Sequence, residues 1–295
     1  MPPKISLVIL TANRQPLLTR CLTSVARQTI QADEVIVVDG SAEPNNTKRV
    51  LEKFKHIVPV RHIRETRRSI PYARNLGVKK SHGDIIVFLD DDLAASPDYL
   101  SRMRERLMQN DAGAVMGKIE NSTPKNIYAA TQYAYYERGL RRAFGDITKP
   151  RPVTWGRMLD LEISGFKKTT LDTFGFPKRP HGFRHDDVEL GIRIIRKKKR
   201  ILFDPAVTAR SIPRTHLLPL LVMIFSDGYW NAFIEKIYRT NLRNAPHPLP
   251  FLPWWYTTIR QSPFTFTERI GFGMLLIAYP VISRMGAGWY ALTQP

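Results

Sequence analysis

The stretch GDIIVFLDDDLAASPDYL, residues 83 to 100, carries five consecutive apolar residues directly into Asp90, Asp91 and Asp92. Adjacent carboxylates repel one another, so a fold gains little stability from placing three of them together. An uninterrupted apolar run of this length is typical of a strand buried on both faces of a parallel sheet. The stretch therefore predicts a buried strand that delivers acidic side chains to one edge of a sheet.

Apolar runs of strand length alternate with helical patterns on either side of this stretch. Strands are predicted over residues 4–10, 33–40, 56–63 and 84–90, and helices over residues 16–28 and 71–83. Such alternation indicates an α/β domain with a doubly wound sheet. Ligands of these sheets bind beyond the carboxyl ends of the strands, and Asp39 ends the second strand as Asp90 ends the fourth. Both acidic positions are therefore predicted at the ligand-binding edge.

The acidic triplet has a chemistry of its own. Carboxylate oxygens are hard ligands that suit Mg²⁺ or Mn²⁺, and these ions are commonly shared with substrate phosphates. Aspartate triplets also occur in solvated turns, but the position after a buried strand favours a functional site. We therefore expect a divalent cation that neutralises a bound diphosphate.

The charge of the chain constrains its partners. Formal net charge is +19, from 45 Lys and Arg against 26 Asp and Glu. This balance suits a polyanionic partner, whether nucleic acid, anionic lipid headgroups or a phosphorylated substrate. The single cysteine, Cys21, excludes an intramolecular disulfide and fits a reducing compartment. The N-terminal run ISLVIL is too short for a signal peptide, so we expect the chain in the cytosol or on the cytoplasmic face of the membrane.

Three segments resemble a known family when they are taken together and in order. They are SLVILTANRQPLLTRCLTSVARQTIQADEVIVVDGS (6–41), ARNLGVKKSHGDIIVFLDDDLAASPDYL (73–100) and HDDVELGIRIIRKKKRILFDPAV (185–207). They are similar to the family 2 glycosyltransferases of GT-A fold over about residues 4 to 210. The resemblance implies a Rossmann-like, doubly wound mixed sheet. It also implies an inverting, metal-dependent enzyme that uses a nucleotide-diphosphate sugar.

The resemblance also implies where the donor binds. Seven side chains are expected around it: Thr11, Asp39, Ser41, Arg74, Asn75, Asp90 and Asp91. Within this set Thr11 would line the nucleotide pocket, Asp39 would recognise the nucleobase, and Asp90 and Asp91 would face the ribose and the sugar phosphate. Asp92 matches the metal-binding aspartate.

The segment HDDVELGIR supplies the expected catalytic base, Asp187, with Asp186 in the position of the family's glutamate. An acceptor hydroxyl is a poor nucleophile until a positioned base takes its proton. A structural explanation stays open, because acids in the first turn and bases in the last turn of a helix also complement its dipole.

The chain changes character after residue 213. We predict a glycosyltransferase domain over 1–213 and a helical C-terminal region over 214–295. The uncharged run IGFGMLLIAYPVI (270–282) is too short to span a bilayer and is flanked by aromatic residues and arginines. It predicts peripheral attachment to an anionic membrane on its inner face. Core packing and a contact between two copies of the chain remain alternatives.

The leading hypothesis is transfer of a sugar to a lipid-linked or surface-polysaccharide acceptor. A sugar-nucleotidyltransferase is an alternative with a similar core, but such enzymes usually open with a Gly-rich loop, and LTANRQPLL has none. A basic nucleic-acid-binding protein is a second alternative. It gives no reason for acidic strand ends, which would repel phosphate, so no nucleic acid is expected as partner.

Overall fold

The computed structural model describes residues 1–67, 69–109, 111–123, 125–177, 185–212, 215–242, 246–247 and 249–293, with the backbone alone for Arg157. Two compact units are present among them. Unit 1 contains residues 1–120 and 148–211, and unit 2 contains residues 121–147 and 212–295. The predicted boundary between residues 213 and 214 lies outside the described residues.

Unit 1 is built on four parallel strands: β1 (Ile5–Thr11), β2 (Glu34–Asp39), β3 (Val60–Arg64) and β4 (Ile85–Phe88). Their order in the sheet is β3-β2-β1-β4, and Thr11 lies opposite Asp39 in the register. The strands β1, β2 and β4 are buried almost throughout, as their uninterrupted apolar runs predict. The third strand begins four residues later than its apolar pattern suggests, because His56 to Pro59 form the turn before it.

The sheet continues past β4 with antiparallel neighbours. The remaining strands are β5 (Leu93–Ala95), β6 (Ala112–Asn121), β7 (Arg151–Pro152), β8 (Ser164–Lys167) and β9 (Arg200–Ser211). The order runs β4-β8-β6-β9-β5, and β7 pairs with β9. The sheet is therefore doubly wound and mixed, which confirms the predicted fold class.

The helices of unit 1 cover this sheet and carry parts of its ligand-binding edge. They are α1 (Gln15–Ala26), α2 (Pro44–Glu52), α3 (Ile70–Lys80), α4 (Tyr99–Gln109), α6 (Lys168–Phe174) and α7 (Asp186–Arg196), with short 3-10 turns at Gly156–Met158 and Leu161–Ile163. In α1 the buried residues are Leu18, Cys21, Leu22 and Val25, so Cys21 fills the core. Burial raises the pKa of the Cys21 thiol well above its usual range.

Unit 2 is helical: α5 (Ile127–Phe144), α8 (Leu217–Tyr238), α9 (Phe251–Arg260) and α10 (Phe266–Thr293). One core cluster joins Ala134 of α5 to Trp254, Phe264, Phe272 and Leu276. The helices α8 and α10 approach closely, since a Cβ at Gly228 would overlap the Ser283 carbonyl and a Cβ at Gly286 would overlap the Phe225 carbonyl. Helical, apolar C-terminal structure is thus confirmed.

The long helix α10 differs from the expectation for its apolar run. The run of residues 270–282 is short, but the helix that contains it has 28 residues and continues through Pro280. By length and composition alone, α8 and α10 could each cross a membrane. Core helices of soluble proteins meet the same criteria, so the finding does not by itself assign either helix to a bilayer.

Candidate active site

A cavity of about 370 Å³ opens at the carboxyl edge of the parallel strands. The end of β1 and the loop after it, from Leu10 to Arg14, form one wall, and Val38 and Gly40 at the end of β2 form another. Asp90 and Asp91 from the end of β4 complete the polar side. The opening therefore lies where doubly wound sheets bind ligands.

The three adjacent aspartates have three different environments. Asp91 is buried, accepts a hydrogen bond from Thr11 Oγ1 at 2.7 Å and pairs with Arg14 Nη1 at 3.1 Å. Asp90 is half-buried and lies 3.8 Å from Arg74 Nη2. Asp92 is half-buried and lies 3.5 Å from Arg14 Nη1. Asp91 is thus held by the fold, while Asp90 and Asp92 retain capacity for a ligand.

Glu162 completes an acidic cluster with Asp90 and Asp92. One oxygen from each carboxylate lies within 4.8 Å of the others. The antiparallel pairing of β4 with β8 brings Glu162 there, since Val87 lies opposite Gly165 and the Asp90 amide donates to the Glu162 carbonyl at 3.2 Å. Oxygen donors of this type fit Mg²⁺ or Mn²⁺. The residues present therefore suit the divalent cation expected from the sequence.

The electrostatics of the cluster point the same way. Burial raises the pKa of Asp90 to about 7, and the neighbouring Asp92 and Asp91 add to the shift while Arg74 opposes it. Burial also raises the pKa of Asp160, which caps the turn at Leu161–Ile163, to about 6. Crowded carboxylates with raised pKa values are stabilised in the ionised form by a cation placed among them.

Arg74 connects the acidic triplet with the first turn of α7. Its Nη1 donates to Asp186 Oδ2 at 2.6 Å, and both side chains are buried. Asp186 is thereby fixed as the partner of an arginine, although its Oδ1 atom has no hydrogen-bond partner among the described residues. Arg74 thus holds a fixed position between two acidic groups.

Asp187 is the more accessible of the two neighbouring acids. It is half-buried, while Asp186 is fully buried. Burial raises the pKa of Asp187 well above its usual range, the charge of Asp186 adds to this shift, and Arg74 opposes it. Its Oδ1 atom accepts a hydrogen bond from the Val188 amide at 2.7 Å. A half-buried carboxylate of raised pKa has the properties of a general base.

Asp39 lies deeper than a residue of the cavity wall. Its side chain is fully buried, His62 Nε2 lies 3.0 Å from Oδ2, and the Ser41 amide donates to Oδ1 at 2.8 Å. Ser41 Oγ in turn accepts a hydrogen bond from the Asn13 amide at 2.8 Å, which joins the loops after β1 and β2. Burial raises the pKa of Asp39, but hydrogen bonds from Ser41 and His62 outweigh it and lower the pKa below its usual range.

Asn75 also makes contacts to the backbone. Its Nδ2 donates to the Phe176 carbonyl at 2.9 Å, and its Oδ1 accepts from the Phe176 amide at 3.0 Å. These two bonds tie α3 to the segment that follows α6. Of the seven expected donor residues, Thr11, Asp90 and Asp91 line the cavity, and Arg74 contacts Asp90 and Asp186. Their roles toward a donor remain predictions.

Sequence reasoning missed Glu162, Arg14 and Glu65. Arg14 directly follows the LTAN segment and pairs with the triplet. Glu65 is buried at the end of β3 and lines the cavity. The segment LEISGF did contain a signal for Glu162. A strand over SGF that pairs with the apolar strand before the triplet places Glu162, two residues earlier, beside the aspartates.

Several proteins of similar sequence are named glycosyltransferases. A Haloferax volcanii protein named glucosyl-dolichyl phosphate glucuronosyltransferase is 35% identical over 180 residues, which cover 57% of each chain. The chain spans about half the length of the curated relatives it matches first, with 39%, 46% and 57% of their lengths covered.

Solved structures share the fold across nearly the whole chain. A mannosyltransferase from Pyrobaculum calidifontis, solved with GDP-Man and Mn²⁺, matches with a TM-score of 0.61 at 19% identity, over 99% of this chain and 84% of that one. TarS residues 1–349 from S. aureus, solved with UDP-GlcNAc, matches with a TM-score of 0.58 at 14% identity, over 99% and 92%. At these identities the likeness shows the GT-A fold.

The decisive comparison is with a family model. The model described as glycosyl transferase family 2 matches residues 6–163, which is more than half of the chain. That range contains the acidic triplet, Arg74 and Glu162. The chain therefore belongs to glycosyltransferase family 2.

Proposed function

We propose that the protein is an inverting, metal-dependent glycosyltransferase that transfers a sugar from a nucleoside-diphosphate sugar to a lipid-linked or surface-polysaccharide acceptor. The observation that carries the proposal is the cavity at the sheet edge, with Asp90 in its wall and Asp92 and Glu162 beside Asp90. An open cavity next to a carboxylate cluster is what a diphosphate and its counter-ion need. The family and the nucleotide sugars bound by structural neighbours support the same reading.

The chain's own residues would bind and orient the donor. We assign the nucleoside to the cavity between the ends of β1 and β2, near Thr11 and Gly40. We assign the diphosphate to the acidic cluster, since a divalent cation held by Asp90, Asp92 and Glu162 would stabilise the negative charge that develops on the leaving group. Arg14 and Arg74 would keep the triplet from repelling a diphosphate by neutralising part of its charge.

Asp187 is assigned as the general base. It would take the proton from the acceptor hydroxyl as the oxygen attacks the anomeric carbon, and the diphosphate would leave on the opposite side of the sugar. A single displacement of this kind inverts the anomeric configuration. The Arg74–Asp186 ion pair supports the assignment, because it fixes the neighbouring acid and leaves Asp187 the more accessible one.

The acceptor is proposed from the names of relatives, and the location from the charge and the apolar exposure of the chain. A relative named for a dolichyl phosphate substrate and another named as a succinoglycan biosynthesis protein suggest lipid-linked or polysaccharide acceptors. We propose a cytoplasmic protein attached peripherally to the inner face of the membrane, supported by the net charge of +19 and the apolar exposed residues of α10.

The test is a screen of nucleoside-diphosphate sugars for protection against thermal unfolding, with and without Mn²⁺ or Mg²⁺. A bound donor stabilises the folded state by mass action, so the correct nucleotide raises the midpoint. The product of turnover with that donor should carry the inverted anomeric configuration by NMR. The absence of stabilisation by every nucleotide sugar, with metal present, would contradict the proposal.

Substitution of the metal ligands gives a second test. Asp92→Asn and Glu162→Gln should each abolish metal-dependent stabilisation by the donor and weaken Mn²⁺ binding measured by electron paramagnetic resonance of the free ion. Asp172→Asn is the matched control, since Asp172 is an exposed acid on α6. Full activity in chelator, together with unchanged Mn²⁺ binding in Asp92→Asn, would overturn the metal assignment.

A further inference from the structure

An apolar groove of about 640 Å³ runs between α9 and α10 in unit 2. Its walls include Tyr256 and Ile259 of α9 and Ile270, Met274 and Ile277 of α10. The volume lies within the range of roughly 300–1,000 Å³ that is common for small-molecule sites. The opposite faces of both helices are already used, since Trp254, Phe272 and Leu276 pack in the core cluster with Ala134. The groove is therefore an outer face with no partner among the described residues.

Contacts between α9 and α10, the two helices of a helical hairpin, set the width of this groove. Trp255 Nε1 donates to the Gly273 carbonyl at 3.1 Å, which fixes the spacing of α9 and α10. A Cβ at Gly273 would come within 2.9 Å of Ile259 Cδ1, so the glycine lets the helices approach. Met274, the next residue along α10, lines the groove and is 61% exposed.

Two arginines line the groove near the turn of the hairpin. Arg260 is the last residue of α9 and Arg269 lies in the first turn of α10. No carboxylate of the described residues pairs with either one. Glu268, the nearest acid in sequence, is engaged in the cap of α10, where its Oε2 accepts hydrogen bonds from the Thr265 amide and hydroxyl at 2.8 and 2.7 Å. The positive charge of the two arginines is therefore uncompensated locally.

Arg269 is held by the backbone at the turn of the hairpin. Its Nη2 donates to the Ser262 carbonyl at 3.2 Å, but its Nε is buried and has no hydrogen-bond partner among the described residues. Buried guanidinium nitrogens without acceptors are costly. The bond to Ser262 holds the Arg269 guanidinium at this end of the groove, and the fork geometry of a guanidinium suits phosphate.

We propose that the α9–α10 groove binds one anionic phospholipid, with its phosphate at Arg260 and Arg269 and an acyl chain along Ile270, Met274 and Ile277. The distance along α10 from Arg269 to Ile277 is about 12 Å by helical rise, which suits one segment of a chain. Charge complementarity selects this occupant, because a second copy of a chain of net charge +19 would bring more positive charge to the arginines.

The inference builds on the proposed membrane attachment and sharpens it to a site for a single lipid. Attachment through the whole exposed face of α10 requires a bilayer but no particular groove. A groove site binds lipid that is monomeric in solution. The two can therefore fail separately, and neither depends on the transfer reaction.

The experiment titrates the full chain with dihexanoyl phosphatidylglycerol below its micellar concentration and follows calorimetry and tryptophan fluorescence, since Trp255 lines the groove. Saturable binding is expected for this lipid. Dihexanoyl phosphatidylcholine, which has the chains without net negative charge, and glycerol phosphate, which has the anion without chains, should each bind at least about fivefold more weakly. Equal binding of the two lipids, or binding of glycerol phosphate as tight as the anionic lipid, would overturn the proposal.

Matched variants locate the site. Met274→Gln and Met285→Gln remove side chains of nearly equal exposure, 61% and 60%, from the same helix, but only Met274 lines the groove. Arg260→Gln has its match in Arg284→Gln, an exposed arginine of α10 outside the groove. Met274→Gln and Arg260→Gln should each weaken binding about fivefold, with the two controls unchanged. Equal losses in both members of a pair would show adsorption to the surface and sink the assignment.

Discussion

At the scale of single residues, the three adjacent aspartates of the triplet have different partners. Asp91 is held inward by Thr11 and Arg14, so its charge is satisfied within the fold. Asp90 and Asp92 stay half-buried, and Glu162 joins them. Repulsion among the carboxylates raises the pKa of Asp90 in addition to the larger effect of burial. In the proposed function, this crowding of carboxylates, which costs stability in the absence of a ligand, serves to hold a cation beside the diphosphate.

The assignment of Asp187 as the base leads to a kinetic prediction. Asp187→Asn removes the proton acceptor but keeps the size and the backbone contact of the side chain. The transfer rate should fall by roughly 10²–10⁴-fold, with donor affinity nearly unchanged. Steady-state kinetics and donor titration on the same preparation measure both.

The control for this variant is Asp172→Asn, on an exposed helix face. It should retain full activity. A helix-dipole role for Asp187 would give a different result: the variant would unfold at a lower temperature by an amount worth ~0.3–1 kcal/mol, with normal turnover per folded molecule. That outcome would remove Asp187 from the catalytic machinery.

The Arg74–Asp186 ion pair predicts a loss of stability when one partner is removed. Arg74→Met leaves Asp186 as a buried, uncompensated charge, and such changes cost about 3–5 kcal/mol. The urea midpoint should fall accordingly. Arg102→Met, which removes one partner of the exposed Arg102–Asp98 pair, should cost less than about 1 kcal/mol. Similar midpoint shifts in the two variants would mean that the buried pair contributes no more to the free energy of unfolding than the exposed pair does.

Sequence patterns predicted much of this site because strand ends are readable from apolar runs. The run before Asp90 and the run before Asp39 placed both acids at one sheet edge, and their strands are β4 and β2. The partners of these acids were harder to predict. His62, the partner of Asp39, lies 23 residues from it in sequence, and Asp186 lies 112 residues from its partner Arg74. Both contacts depend on tertiary packing, which no local sequence pattern contains.

At the scale of elements, the close crossing of α8 and α10 defines the packing of unit 2. The sequence predicted a helical region after residue 213 and the apolar run within α10, but not the contact of α10 with α8, because no local pattern marks Gly228 and Gly286 as points of close approach. The grouping of residues 121–147 with the C-terminal helices was not predicted either. The helix α5 has Asn126 at its N-cap and six buried positions, which is a pattern that fits either unit.

The crossing of α8 and α10 gives a prediction with an internal control. A methyl group at Gly228 would overlap the Ser283 carbonyl, so Gly228→Ala should destabilise unit 2 by about 1–3 kcal/mol through overpacking. At Gly288, on the same helix as Ser283, a Cβ would meet nothing within 4 Å. Gly288→Ala should therefore be neutral or stabilise by up to about 1 kcal/mol through helix propensity.

Thermal unfolding followed by circular dichroism measures both variants, with limited proteolysis to report on the C-terminal helices. A lower unfolding midpoint for Gly228→Ala and an unchanged or higher midpoint for Gly288→Ala are the expected results. A neutral Gly228→Ala would show that α8 and α10 separate at no cost, and the description of unit 2 as a packed helical core would need revision.

At the scale of the whole molecule, charge and apolar exposure combine. The chain carries net charge +19, and the outward residues of α10 include Val281, Met285 and Trp289, each more than half exposed. The inward residues of the same helix, such as Phe272 and Leu276, belong to the core. A truncation before α10 would therefore expose the core as well as remove the outer face. Substitutions on the outer face alone separate the two effects.

We predict that the triple variant Val281→Gln/Met285→Gln/Trp289→Gln loses flotation with phosphatidylglycerol vesicles, because it removes apolar area that would enter the interface but leaves the core faces intact. Since burying one large apolar side chain is worth about 1.5–3 kcal/mol, partitioning should fall at least about tenfold. The matched control is Ile57→Gln/Met108→Gln, which removes two side chains of equal exposure, 59% each, from unit 1.

Wild-type flotation should weaken, without vanishing, as the Debye length falls from about 10 Å at 0.1 M salt to about 3 Å at 1 M, since the apolar contribution persists when the charges are screened. Equal loss in the control, or wild-type protein that stays with the soluble fraction at low salt, would contradict attachment through α10 and favour a role of this face in contacts between copies of the chain.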